Sequence, residues 1–203
     1  RVPRPDLAAA LGVPQPCAAC HADRDAAWAS EALVALHGQQ HAPTFAHALS
    51  GLRDGAGNAT VLDAVANTDY PGIARATALG YLGSPLGEPE IAALNAALGD
   101  PDPLLRIAAV RLLRFTPPDY RLPHAERLLD DPVRAVRVEA AMAYADLGDL
   151  IPPAAKPGFA RATRDFVDAQ RIQLDRPEAW VALADHAAAS EDFDLAMERY
   201  EHA

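Results

Sequence analysis

The stretch DPDPLLRIAAVRLL, residues 100–113, joins a proline-rich turn to a run of apolar residues at helical spacing. Similar stretches lie 31 residues to either side, DYPGIARATALGYL at 69–82 and DPVRAVRVEAAMAY at 131–144. Each copy follows a weaker helical pattern, at about 59–67, 88–98 and 122–129. This period predicts helix pairs joined by proline-rich turns. The register is marked by Asp69, Asp100 and Asp131, and by Arg75, Arg106 and Arg137 six residues after them.

These copies resemble HEAT repeats, particularly the short bacterial kind. The resemblance implies that an aspartate after the turn and an arginine early in the second helix form a ladder between neighbouring repeats. The 31-residue period is shorter than the common HEAT length, and the first copy lacks the Asp-Pro pair. The three arginines could instead form a ligand-binding stripe. The aspartates at the same period would neutralise such a stripe, so we favour the structural ladder.

A different repeat pattern occupies the C-terminal end of the chain. Its spacing resembles the tetratricopeptide (TPR) repeat, carried by Trp180, Leu183, Ala184, Ala187, Ala196, Tyr200 and Ala203. Ala162, Phe166 and Ala169 have the spacing of the second helix of a preceding unit. Position 187 departs from the pattern, because a large residue is usual there. We interpret Trp180 and Tyr200 as packing residues of a helix hairpin rather than a ligand-stacking pair.

The composition favours an all-α fold. Aromatic residues make up 6% of the chain and 18 prolines interrupt it, which favours many short helices over strands. We therefore predict an all-α helical-repeat solenoid with an irregular N-terminal segment. Residues 1–55 would hold a Pro-rich extended lead to residue 16 and a hairpin of two helices, at about 23–37 and 43–53. Residues 56–150 would form the HEAT-like repeats and residues 151–203 the TPR-like repeats.

Charge and hydropathy exclude two classes of partner. The formal net charge of −10, without any run of Lys and Arg, would repel a phosphate backbone, so we expect no nucleic-acid partner. No apolar stretch approaches the roughly 18 residues that would cross a bilayer, so we expect no membrane span. The first residues, RVPRPDL, do not form a signal peptide, and we expect the chain to be a segment of a longer protein.

The motif QPCAACHAD, residues 15–23, holds the two cysteines of the chain, Cys17 and Cys20, followed at once by His21. A redox disulfide would suit the spacing but usually lies on a βαβ scaffold, which the pattern lacks. A zinc site could add His37 and His41, although the gap is long and His21 would have no role. Two incidental core cysteines would be unusual in a polar, Pro-bounded stretch. Covalent attachment of a c-type haem uses all three residues: two thiols for the vinyl groups and an imidazole for the iron.

The surroundings of this motif resemble the last haem segment of periplasmic multihaem c-type cytochromes that continue into HEAT-like and TPR repeats. In that group an R-x-P-R-P-D-L lead precedes the final C-x-x-C-H, as residues 1–7 do here. The helix after it carries D-x-x-A-x-W-A, which resembles the run from Asp23 through Trp28 to Ala29. The resemblance implies covalent haem c on Cys17 and Cys20, with His21 as proximal ligand and a periplasmic location.

The residue on the other side of the iron is a separate question. Met142 and Met197 lie far along the chain, which favours a histidine. A straight helix from residue 23 would carry His37 about 21 Å away, at 1.5 Å per residue. His47, on the returning helix, is the better candidate, and His41 is the next. The resemblance also allows a histidine upstream of the lead.

Function follows from these motifs as an expectation. No Ser/His/Asp constellation, phosphate loop or carboxylate pair stands out, so we expect an electron carrier rather than an enzyme in this segment. The repeats would dock a redox partner protein or a peptide. The alternative is a pure protein-interaction scaffold whose haem motif is unloaded. His124, His186 and His202 are read as isolated surface or core residues.

Overall fold

The computed structural model describes residues 4–38, 45–55, 57–82 and 85–203, with only the backbone at 52 and 53. Over these ranges the chain forms helices and no strand, which confirms the all-α class. None of the described helices has the length and apolar character needed to cross a bilayer. The α-helices are α1 Pro5–Ala10, α2 Ala26–His37, α3 Ala46–Arg53, α4 Asn58–Ala66, α5 Gly72–Leu79, α6 Glu88–Leu98, α7 Pro103–Leu113, α8 Pro118–Arg121, α9 Ala125–Leu129, α10 Arg134–Tyr144, α11 Lys156–Arg171, α12 Pro177–Ala189 and α13 Phe193–Glu201. Short 3₁₀ helices span Pro16–Ala19, Leu122–His124 and Ala145–Leu150.

The chain divides into two compact units, residues 1–81 and residues 82–203. In the first unit, α1 packs on α2, α3 packs on α4, and α4 packs on α5. The sequence predicted that α2 would pair with α3, but the extensive contacts of α2 are with α1, upstream of it. The helix that α2 packs against therefore comes from the segment predicted to be extended.

The N-terminal lead contains a helix where the sequence predicted extended chain up to residue 16. Pro5 occupies the first turn of α1, where its missing N–H costs no hydrogen bond, and three alanines end the helix. Arg4 pairs with Asp6 at 2.6 Å, and Ala8 is buried. Pro5 therefore begins a helix in a segment whose prolines predicted an extended chain.

In the second unit, successive helices pack along the chain. The extensive contacts join α6 to α7, α7 to α10, α9 to α10 and α11, α10 to α11, α11 to α12, and α12 to α13. Leucine and alanine fill the interior, with Leu94, Leu98, Leu105 and Leu113 almost fully buried. Tyr144 is also fully buried, and its hydroxyl donates to the backbone carbonyl of Arg121 at 2.8 Å.

The repeated aspartate and arginine have the same local roles in the second and third copies. The Oδ1 atom of Asp100 accepts from the N–H of Asp102, and that of Asp131 accepts from the N–H of Val133, each at 2.8 Å. Six residues later, an arginine Nη1 donates to the backbone carbonyl of that aspartate, at 2.8 Å from Arg106. Arg137 makes the same bond to Asp131 at 2.7 Å. The six-residue spacing therefore lets an arginine in the first turns of a helix bind the backbone carbonyl of the aspartate in the preceding turn.

The same arginines also bridge consecutive segments. Arg106 pairs with Asp131 of the next copy, through Nε at 2.8 Å and Nη2 at 3.0 Å. Arg137 pairs with Asp165 in α11 at 2.7 Å. In the first copy, Arg75 donates from Nε to the backbone carbonyl of Val65 at 2.8 Å. Arg106 and Asp131 therefore confirm one predicted rung of the ladder, and Asp165 adds a rung that the 31-residue register did not predict.

The C-terminal helices are held by ring and hydroxyl contacts. The indole Nε1 of Trp180 donates to the carbonyl of Leu174 at 2.9 Å, and the Tyr200 hydroxyl donates to Asp185 at 2.6 Å. His186 is buried and stacks on Phe166, with ring centroids 5.0 Å apart. Trp180 and Tyr200 thus make structural contacts within the α11–α13 segment, as the sequence predicted.

Candidate functional site

Cys17, Cys20 and His21 lie together in one tight turn before α2. Pro16 begins the 3₁₀ helix, and the N–H groups of Cys20 and His21 both donate to the Cys17 carbonyl, at 3.2 and 2.9 Å. Both cysteines are free; Cys17 is half-buried and Cys20 is exposed. His21 is exposed as well. The turn therefore presents two free thiols and an imidazole from five consecutive residues.

The imidazole of His21 rests against Trp28 in the first turn of α2. The ring centroids are 4.8 Å apart and the planes are inclined by 53°. Asp25 caps α2 by accepting from the N–H of Trp28 at 2.8 Å, and the Arg24 guanidinium lies 5.6 Å from the indole centroid. Trp28 is thus fixed by the helix start and in turn supports the imidazole. The sequence did not predict that Trp28 would contact His21, and this contact gives Trp28 a physical role at the motif.

These side chains suit the chemistry of covalent haem attachment. Thioether formation requires thiols that are not tied in a disulfide and that the porphyrin can reach, and both cysteines meet that requirement. The sulfurs would bond to vinyl carbons and not to iron, so the site needs no convergence of three metal ligands. The exposed imidazole next to the second cysteine is the group that would face the iron.

A zinc site fits less well. Cys17, Cys20 and His37 are all described, yet no three His, Cys, Asp or Glu side chains within the described ranges come together as ligands for a metal ion. His37 is the exposed last residue of α2, sixteen residues beyond His21. The fourth proposed ligand, His41, lies outside the described residues. The predicted C-x2-C-x16-H-x3-H arrangement is therefore not assembled by the three members that can be placed.

His47 lies on α3, a helix whose residues 46, 49 and 50 share a cavity with the lead. A cavity of about 260 Å³ is lined by Leu11 and Val13 of the lead, by Tyr81, and by Ala46, Leu49 and Ser50 of α3. His47 follows Ala46 directly and is exposed. The first turn of α3 therefore lies against the segment that leads into the motif. The sequence predicted that a hairpin of α2 and α3 would return His47 toward the motif, whereas the contact that the structure shows is between α3 and the lead.

The three histidines of the second unit make ring contacts within that unit. Burial and the nearby Arg199 lower the pKa of His186, and its Nε2 has no hydrogen-bond partner among the described residues. Burial, with a smaller effect of Arg127, also lowers the pKa of His124. His202 is exposed and contacts Trp180, with centroids 4.6 Å apart. These contacts agree with the interpretation of all three as isolated surface or core residues.

Comparison of the chain with protein-family profiles, with curated proteins and with solved structures gives no match.

Proposed function

We propose that this chain is an electron-transfer segment that binds one c-type haem through Cys17 and Cys20, with His21 as the proximal iron ligand. The observation that carries the proposal is the single turn that presents two free thiols and an exposed imidazole supported by Trp28. The resemblance of residues 1–29 to the last haem segment of periplasmic multihaem cytochromes supports it. On this proposal the chain acts in the periplasm and is not itself an enzyme.

Each residue of the turn has a separate task. Haem, when bound, would supply one-electron chemistry by changing between ferric and ferrous iron. The Cys17 and Cys20 thiols would each add across a vinyl group, the sulfur bonding to carbon and the thiol hydrogen passing to the other vinyl carbon. Trp28 would orient His21 through the tilted contact between the two rings. Asp25, which caps α2, would hold Trp28 in that position.

We further propose that His47 supplies the second axial ligand. Its place on α3, beside the cavity that contacts Leu11 and Val13, supports this choice over His37, at the far end of α2. His41 is the remaining local candidate. A histidine pair would favour a lower reduction potential than a histidine–methionine pair.

The remainder of the chain is proposed to be a solenoid of HEAT-like helix pairs followed by TPR-like pairs. Its support is the packing of successive helices from α6 to α13 and the pairing of Arg106 with Asp131. In such an array each unit contacts its neighbours, which leaves an extended surface for a partner protein. The scaffold would present the haem segment to a redox partner.

The test is expression of the chain in a periplasm with haem-maturation machinery. We expect a red protein whose pyridine haemochrome has the spectrum of a haem with two thioether bonds and whose mass rises by one haem. The Cys17→Ala, Cys20→Ala double variant should be colourless, whereas the control variant His37→Ala should bind haem normally. A colourless wild-type chain from this host would overturn the haem proposal.

A scaffold without haem is the second candidate function, favoured by the extensive helix packing of residues 82–203. It predicts a folded, colourless chain even when haem maturation is active. Expression in a reducing cytoplasm does not distinguish the two functions, because thioether attachment would not occur there. The comparison must therefore be made with periplasmic material.

A further inference from the structure

A groove in the second unit lies between α7 and α10. Two adjoining depressions, of about 300 and 430 Å³, share Arg111 and Glu139 on their walls. The lining between the charged groups is apolar and includes Val110, Val138 and Met142. Volumes of this size match those of pockets that hold a small ligand or a few side chains of a partner.

One end of the groove exposes an aromatic ring. Phe115 follows α7 and is 80% exposed, although it lines the smaller depression together with Met142. A ring of this size that remains in water next to an apolar wall is typical of an interaction surface. The groove thus offers an aromatic contact and an apolar floor at the same place.

The charge of the groove is positive. Arg111, Arg114 and Arg134 line it, against the single carboxylate of Glu139, which pairs with Arg111. Arg114 is exposed and has no carboxylate partner in the part of the chain that the structure describes. Arg134 and Arg137 both pair with Asp165, so one carboxylate faces two cations there. A chain of net charge −10 therefore carries a cationic groove.

We propose that this groove binds an acidic segment of a partner protein that also carries a large apolar side chain. The apolar side chain would pack against Phe115 and Met142, and the carboxylates would pair with Arg114 and Arg134. Charge complementarity requires an occupant with negative charge, and the apolar walls of the groove favour a polypeptide over a nucleic acid. This inference does not rest on haem binding, because none of these residues belongs to the cysteine motif.

A selection experiment tests the proposal. A library of random 12-residue peptides would be displayed and selected on the purified chain, and enriched sequences would be measured with synthetic peptides by fluorescence anisotropy. We expect enriched peptides to combine Asp or Glu with Phe, Leu or Trp. Their affinity should fall about tenfold in the Arg114→Glu variant, the size of effect expected at an interface hot spot. Phe115→Ser should weaken binding similarly, and added salt should slow association.

Matched controls separate the groove from the general surface. Arg176→Glu and Phe193→Ser change an exposed arginine and an exposed phenylalanine at other sites of the same unit, and should bind as the wild type does. Circular dichroism checks that every variant folds. The proposal is overturned if no peptide is enriched, if enriched peptides lack acidic residues, or if the groove variants bind as tightly as the controls. Stronger binding of a single-stranded 12-mer DNA than of the peptides would also overturn it.

Discussion

The guanidinium of Arg106 donates to both carboxylate oxygens of Asp131, 25 residues further along the chain, at 2.8 and 3.0 Å. Both side chains are largely buried, with 13% and 5% of their surfaces exposed. The same carboxylate holds the turn before α10 by accepting from the N–H of Val133. One aspartate therefore joins α7 to the turn before α10 and helps to fix the start of that helix.

We expect Asp131→Ala to destabilise the chain by about 3 kcal/mol, because it leaves the largely buried Arg106 guanidinium without a carboxylate, with only backbone carbonyls as partners. Urea unfolding followed by circular dichroism measures this. The control is Asp168→Ala, which removes an exposed pair with Arg171 at 3.6 Å and should cost less than about 1 kcal/mol. Equal effects of the two substitutions would show that the Arg106–Asp131 pair contributes no more than a surface pair.

Removing the hydroxyl of Tyr144 should also weaken the fold. This hydroxyl donates to the Arg121 carbonyl inside the protein, and burial raises the pKa of Tyr144 well above its usual value. We expect Tyr144→Phe to lower the free energy of unfolding by about 1 to 2 kcal/mol, because the buried carbonyl loses its donor. Tyr120→Phe removes a hydroxyl that bonds to Asn95 in a more exposed place and should have a smaller effect. Thermal unfolding of the two variants gives the comparison, and a larger loss in Tyr120→Phe would contradict it.

His186 should make the fold sensitive to mild acid. Burial lowers its pKa in the folded chain, so the unfolded chain, with an ordinary pKa of about 6.5, takes up the proton first. The contribution of neutral His186 is complete above that pH and is lost as the pH falls toward the lower folded pKa. Arg199 on α13 acts in the same direction. His124, whose pKa is also lowered, adds a parallel contribution.

The measurement is the free energy of unfolding between pH 7 and pH 5 for the wild type and for His186→Gln. We expect a shallower fall in the variant. His202→Gln, which changes an exposed histidine of the same segment, should keep the wild-type slope. If the free energy of unfolding falls equally with pH in all three proteins, His186 does not cause the loss of stability in mild acid.

The axial-ligand proposal predicts a spectroscopic change. In haem-loaded chain, His47→Ala should convert a six-coordinate low-spin absorption spectrum to a high-spin one, because the iron loses a strong-field ligand. His37→Ala, at the end of α2, should leave the spectrum as it was. A low-spin spectrum that survives His47→Ala would assign the ligand to another residue, and His41→Ala is then the variant to measure.

The sequence predicted best those features that depend on residues close together in the chain. Cys17, Cys20 and His21 are neighbours in the sequence, so their grouping in one turn is local, and the periodic apolar residues of 103–113 predicted α7. The resemblance to HEAT repeats predicted that an arginine of one copy would pair with an aspartate of the next, and Arg106 and Asp131 make such a pair. The rung from Arg137 to Asp165 falls outside this register, so periodicity could not reveal it.

Other features depended on packing that no local pattern records. Residues 5–10 form a helix where the sequence predicted extended chain, because proline occurs both in extended chain and in the first turn of a helix. The packing of this segment against α2 favours the helix. The groove between α7 and α10 combines residues about 25 to 30 positions apart. The exposure of Phe115 could not be read from its place after an apolar run. Surfaces of this kind emerge only when two helices are placed side by side.

Asp165 has a practical consequence for dividing the protein into fragments. The sequence suggests a cut near residue 150, where one repeat type gives way to the next. Such a cut would remove α11, and with it the Asp165 carboxylate that pairs with both Arg134 and Arg137. It would also expose to solvent the side of α10 that packs against α11. A fragment that ends after residue 171 keeps α11 and its contacts with α10, and is the better choice for expression.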